Sequence, residues 1–345
     1  MSRIILRFLF VAILVIASAA AFGYGRAHAA GPWYVATTGS DANDCLSPAT
    51  PCATLDAAID RSSSGDTINV ATGTYFGSGN QVISLSQDII LSGGWNASFT
   101  SKTGMSTIDG QGVRRGVTVF SFVTTDMDAF VIRNGTLFNT GGGIVNQGTL
   151  TLTNCLVSDN FTEFGGGISN TGTLTLNNTT VRGNTATLFG GGILNNGTLT
   201  LNNSTVSGNA SIEFGGGGIA NSGGAVAVNN STISGNSTPD SGAGILNAGG
   251  PTGFVILNYT TVSNNTADSL GGGIANFSST GTVTLNSSIV AGNRIGSSGI
   301  DDFSADCYSN QPLIASQGYN LTGSGTGCDP LGGTGDGTVT PGTVF

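Results

Sequence analysis

The chain has 345 residues, 57 of them glycine, with only 8% charged residues, a formal net charge of −9 and a pI near 4.2. So acidic a chain argues against nucleic acid or anionic lipid as a partner, since both carry charge of the same sign. Abundant glycine with little charge would suit disorder, but Ile, Leu and Val recur here at a fixed period, which a disordered chain does not need.

Residues 1–29 read as a secretory signal peptide. Arg3 and Arg7 give the positive start, Phe8 to Phe22 is an apolar run, and Ala27, His28 and Ala29 form a small-x-small cleavage site. A retained membrane anchor is the alternative, because Ile4 to Phe22 is just long enough to span a bilayer. After cleavage no membrane span is expected. Seven basic and all 19 acidic side chains would remain, a net of −12.

Residues 30–75 read as an N-terminal cap. Trp33 to Ala36 is an apolar strand, followed by a polar loop that holds Cys45 and Cys52. Leu55 to Asp60 is a short helix, capped by Thr54 or an earlier polar residue. Thr67 to Val70 then restarts β structure. Residues 76–296 read as the coils of a solenoid. They are irregular as far as 140: Ile89 to Leu91 and Thr107 to Gly110 are strands, and Gly93 to Asn96 a turn. Phe130 to Asn134 anticipates the repeat that follows.

Over 141–294 one phrase recurs six times, starting at Gly141, Gly165, Gly190, Gly215, Gly242 and Gly271, in steps of 24, 25, 25, 27 and 29 residues. A period near 25 marks a stacked architecture. Within a copy, Thr198 to Leu201 alternates polar and apolar with period 2, the strand signature, while Asn and Gly interrupt too often for a helix. Three apolar columns align between copies. One holds Ile168, Ile193 and Ile219, another Leu174/Leu176 and Leu199/Leu201, and the third Val181, Val206 and Ile233. Three columns facing one axis make a tube whose rungs pair in parallel, each rising ~4.8 Å. One rung cannot bury its apolar face, but a stack can. The fold expected is therefore all-β: a single-stranded, right-handed parallel β-helix, a three-sheet solenoid of about ten coils with a short N-terminal capping helix.

A polar column accompanies them: Asn160, Asn184, Asn209, Asn236, Asn265 and Asn293, preceded by Asn134. Its reading is a structural amide ladder, not a ligand row, because buried polar groups need partners. Residues 297–345 form a last coil and tail, with Gly318 to Leu321 as the final strand and a frayed end after Gly332. Cys45–Cys52 and Cys307–Cys328 are expected as disulfides clamping the two ends, as suits an exported chain. Cys155 aligns with Thr179, Ser204 and Ser231, so it reads as a small solenoid side chain.

The segment from Trp33 through Pro51, Cys52, Leu55 and Ile59 to Tyr75 resembles the N-terminal cap of secreted β-helix proteins of the pectin-lyase-like superfamily. The Gly-Gly-Gly-Ile-x-Asn copies are similar to repeats of polymorphic outer-membrane proteins. The resemblance covers about residues 33 to 330 and implies fold more than function, since the superfamily holds lyases, hydrolases and adhesins. No length remains for a C-terminal barrel of the autotransporter kind.

No catalytic set is legible. The only histidine is His28, within the signal, so a His base or ligand is absent from the mature chain. No cofactor or metal is expected. Arg133 aligned with Asp159 reads as a cross-strand ion pair. Asp109, Asp126 and Asp128 with Arg114 and Arg115 form the densest charge region, read as loop charges on an irregular coil with a calcium or sugar site as the alternative; a polysaccharide-active enzyme would have its site around Asp109 to Arg133. Asp301, Asp302 and Asp306 carry no calcium-loop motif. Outward Thr pairs (Thr149/Thr151, Thr173/Thr175, Thr198/Thr200) break at Ala225/Ala227 and Phe254/Ile256 and resume at Thr282/Thr284. Asn-x-Ser/Thr triplets such as those at Asn178, Asn203 and Asn230 follow from repeats rich in these residues.

The reading is a secreted or cell-surface solenoid with a structural, adhesive or glycan-binding role, its partners glycans or other surface proteins. The alternative is an enzyme acting on acidic polysaccharide. Ice binding through the Thr array is a lesser alternative.

Overall fold

The computed structural model describes residues 31–249, 253–296, 305–310, 314–323, 327–328 and 332–338. The signal segment, Asp301 and Asp302 lie outside them.

From Pro32 onward the described chain is a parallel β-solenoid. Three long sheets of 11, 9 and 11 strands run along it. The first sheet begins with Trp33–Val35 and contains Thr149–Thr153, Thr173–Asn177 and Thr198–Asn202. The second contains Ile144–Asn146, Ile168–Asn170 and Ile193–Asn195, and the third Leu156–Ser158, Thr180–Arg182 and Thr205–Ser207. Register is strict: Ile168 lies opposite Ile193 and Ile193 opposite Ile219, while Leu174 pairs with Leu199 and Val181 with Val206. Each of these side chains is 0% exposed. Every such Ile, Leu or Val contributes roughly 1.5–3 kcal/mol of burial, before the entropy of ordering the chain is set against it.

A fourth sheet of six short strands, starting at Phe161–Phe164 and Thr185–Phe189, adds a side to the tube. Three apolar columns do not announce it. Its inward positions are Thr162, Ala186, Ser211, Thr238, Ala267 and Ile295, all buried. Small residues at all but the last leave no hydrophobic period to read.

The corners explain the glycines. Gly190 opens its copy at φ +69, a conformation that L residues with a Cβ disfavour. Two residues on, a Cβ at Gly192 would lie 2.6 Å from the carbonyl oxygen of Gly218 in the next rung. Rung contact there admits hydrogen only.

At the N-terminal end the helix Leu55–Arg61 buries Leu55, Ala58 and Ile59 against the first rungs, covering apolar surface that an open end would expose. Thr54 caps it, its hydroxyl accepting from the Ala57 N–H at 3.2 Å. The Asp41 carboxylate holds the preceding N–H groups of Ala53 and Thr54, each at 2.9 Å. Gly93 to Trp95 is not a turn. The strand Ile89–Trp95 continues through it, with Gly94 at φ +79 and a register shift against Asn69 to Ala71. An irregular residue is absorbed as a bulge. Near the C-terminus, Leu321–Thr322 is followed by a further strand, Gly337–Thr338, where the glycine-rich composition suggests only a loose end.

Candidate functional site

The asparagine column lies inside the tube. Asn160, Asn184, Asn209, Asn236, Asn265 and Asn293 are at most 2% exposed. Each passes its Nδ2 hydrogen to the Oδ1 of the next, as from Asn184 to Asn209 and Asn209 to Asn236, both at 3.0 Å. Asn209 also donates to the Val181 carbonyl at 3.0 Å. None of these amides is offered to a ligand. Asn134 does not begin the column: Ile132 pairs with Val157, so Gly135 takes the place of Asn160 one rung earlier and donates its N–H to Asn160 Oδ1 at 2.7 Å.

A second buried ladder joins Asn146, Asn170, Asn195, Asn221, Asn247 and Asn276, with successive Nδ2 to Oδ1 distances of 2.7–2.9 Å. The signal for it is the Asn that closes every Gly-Gly-Gly-Ile-x-Asn phrase. Its first member leaves Oδ1 without a hydrogen bond, because Val119 occupies the preceding rung. A third ladder uses hydroxyls: the Cys155 N–H meets Thr179 Oγ1 at 3.2 Å, and the Thr179 N–H meets Ser204 Oγ at 3.1 Å. Cys155 is the free cysteine among the described residues, and burial pushes its thiol up to about 12, so it is no nucleophile at neutral pH.

Cys45 is bonded to Cys52 and Cys307 to Cys328, with Cα separations of 5.0 and 5.5 Å. Bonded pairs point to an oxidising compartment.

The charge region between Asp109 and Asp128 does not form one site. Asp109 is on the third sheet, Arg115 on the second, and Asp126 and Asp128 on the first. Lys102 and Asn154 both bond to Asp128, and Lys102 sits 5.7 Å from the Trp95 ring centroid. Arg115 spends its guanidinium on the carbonyls of Gly141 and Thr140, at 2.9 and 2.8 Å. The sequence alignment of Arg133 with Asp159 is one residue off. Arg133 and Arg182 both pair in register with Ser158, and Arg133 Nε donates to Asp109 Oδ2 at 3.0 Å in the rung before.

What the structure does gather is a shallow groove of about 510 Å³ along the third sheet, lined by Phe76, Asp109, Gln111, Asn134, Thr136 and Asp159. Asp109 is buried and saturated: besides Arg133 it accepts from Asn134 Nδ2, 3.1 Å from each carboxylate oxygen, and from the Gln111 N–H at 2.9 Å. It organises the floor. Asp159 differs. It is exposed and its carboxylate makes no hydrogen bond among the described residues. It also stands at φ +58, on the corner that Gly183, Gly208, Gly235 and Gly292 occupy in later rungs and that Asn134 and Asn264 share. Aspartate and asparagine tolerate this conformation better than other L residues, though less freely than glycine. Phe76, 50% exposed, supplies an apolar wall.

A second groove of about 510 Å³ lies beside the cap helix, lined by Asp56, Asp60, Gln81, Ser84 and Gln87 among others. Burial, then the nearby charges of Asp60 and Asp41, push the Asp56 carboxyl up to about 6. Among the described residues no three His, Cys, Asp or Glu side chains are grouped to hold a metal ion. No described helix is long and apolar enough to cross a membrane.

No protein-family model matches the chain, and no curated protein sequence does. Among solved structures, pectate lyase Pel9A matches with a TM-score of 0.52 at 15% identity, over 89% of this chain and 76% of that one. At that identity the likeness speaks for architecture: the chain folds as a pectate lyase-like parallel β-helix.

Proposed function

We propose that this is a secreted or cell-surface β-helix that binds glycan without cleaving it, through the groove at Asp159. The observation that carries the reading is Asp159 itself, an exposed carboxylate without a hydrogen-bond partner among the described residues, at a corner where four of the five later rungs use glycine. Backbone strain persists where something other than stability retains it. The groove offers carboxylate and amide groups to sugar hydroxyls and an aromatic ring to a sugar's C–H face. Arg133 gives its Nε hydrogen to Asp109, so its positive charge is offset by that carboxylate beside the groove. The groove's carboxylates favour neutral or amino sugars over uronates. The bonded cysteine pairs support a place outside the cytoplasm.

The test is a glycan array that spans neutral, amino and acidic polysaccharides, followed by calorimetry on the hits with Asp159→Asn and Phe76→Ala. Binding to neutral or amino glycans that both substitutions weaken supports the proposal. An array with no hits sinks it.

Polysaccharide cleavage is the second reading. It draws on the likeness to a pectate lyase and on Asp56, a carboxyl near 6 beside Asp60 and so placed to exchange protons near neutral pH. It predicts reducing or unsaturated ends from a polysaccharide panel, lost in Asp56→Asn. A flat panel removes it.

A further inference from the structure

The sequence contains two Asn-Gly pairs, Asn134-Gly135 and Asn196-Gly197. With no side chain after the asparagine, the following main-chain nitrogen is open to attack the asparagine's own amide. Whether it can do so depends on what else holds the two groups, and the tube holds them differently.

We propose that Asn196 is a site of spontaneous conversion to aspartate and isoaspartate in the folded protein, and that Asn134 is protected. At the first pair both reacting groups are tied down. The Gly135 N–H donates to Asn160 Oδ1 at 2.7 Å, and Asn134 Nδ2 lies 3.1 Å from each oxygen of Asp109. At the second pair neither is. Asn196 is exposed, and neither its side chain nor the Gly197 N–H makes a hydrogen bond among the described residues. One rung earlier the equivalent Gly172 N–H does donate, to the Asn146 carbonyl at 3.3 Å.

The pair arises from two separate demands on one turn. Gly197 must lack a Cβ, which would lie 2.1 Å from the Gly172 carbonyl oxygen. The residue before it faces water and is free to vary: the corresponding turns carry Gln147, Thr171, Ser222 and Ala248. Only this copy puts an asparagine there.

In the reaction the deprotonated Gly197 nitrogen attacks Cγ of Asn196. A C–N bond forms, the side-chain nitrogen leaves as ammonia with the proton, and a five-membered succinimide results. Water then opens either carbonyl, giving aspartate or, with the main chain rerouted through Cβ, isoaspartate. Both add one negative charge. Isoaspartate also lengthens the main chain between Ile193–Asn195 and Thr198–Asn202. The Asn195 Nδ2 bond to the Gly197 carbonyl at 3.1 Å and the Thr198 N–H bond to Gly172 at 2.9 Å lie at that point.

The experiment incubates the full chain in mildly alkaline buffer, folded and in urea. Conversion at each site is followed by peptide mass mapping and by enzymatic methylation of isoaspartate. In urea both sites should convert at similar rates. In the folded protein Asn196 should convert roughly tenfold or more faster than Asn134, which must wait for local opening. Asn196→Gln should abolish the folded-state methyl acceptor. Equal folded rates at the two sites, or an unchanged Asn196 once the urea sample has converted, would overturn the proposal.

Discussion

Asn293 gives both its main-chain N–H and its Nδ2 hydrogen to a single oxygen, Oδ1 of Asp306, each at 2.8 Å. Every amide in the column above points the same way, so the last one presents donors only, and a carboxylate receives them. The same device recurs below: Asn320 gives its N–H and Nδ2 to Asp336 Oδ1 at 2.9 and 3.2 Å. Asp306→Asn keeps an acceptor and should cost less than about 1 kcal/mol, whereas Asp306→Ala strands two buried donors and should cost about 2–3 kcal/mol. Urea unfolding of the two variants reads the difference; equal losses would show that the carboxylate does not terminate the column.

Within the column, Asn209→Ala removes an acceptor for Asn184 and donors to Val181 and Asn236. Several buried groups are left unpaired at once, so the loss should be about 3 kcal/mol or more. The exposed Asn196→Ala, one turn away in the same copy, should lie within about 0.5 kcal/mol of the parent. Thermal melts of the pair separate a ladder residue from a surface residue of identical chemistry.

Asp159→Gly relieves a strained corner and should raise stability by about 0.5–1 kcal/mol. If the groove binds glycan, the same change should weaken binding. A variant that is more stable and binds equally well would separate the strain from the function.

Asp56→Asn carries a pH signature. The folded carboxyl is raised from 3.8 to about 6, so above about 6 the folded state holds a charge that the unfolded chain carries more easily. Asn should therefore stabilise the protein near neutrality by about 1 kcal/mol, a figure reduced for the group's partial exposure. The gain should fade as pH falls from about 6 towards 3.8 and vanish below it. Melting temperatures of both proteins across that range test the sign.

Much of the tube could be read from residues alone, because it is built from one period. Ile193, Leu199 and Val206 recur at fixed offsets, and an offset that repeats six times fixes which side chains share a wall. Reading weakens where the signal is a single residue. Whether Asn134 or Gly135 stands above Asn160 depends on a shift of one, and only the pairing of Ile132 with Val157 decides it. The wall lined by Ala186 and Ser211 stayed silent because small side chains carry no hydrophobic period. The groove at Asp159 was hidden for another reason. Its members, from Phe76 to Asp159, come from different rungs, and nothing in a linear chain states which corners become neighbours.

The uniform direction of the amides has a consequence for ancestry. An interior turn such as the one from Gly190 to Phe214 meets its neighbours through the same contacts above and below, so a gene could gain or lose that segment whole and leave no seam. The terminal aspartates have no such freedom, since each closes a file of donors that would otherwise end in empty space. Growth and shrinkage of this protein over evolutionary time should therefore have happened in its middle, with the extremities handed down intact.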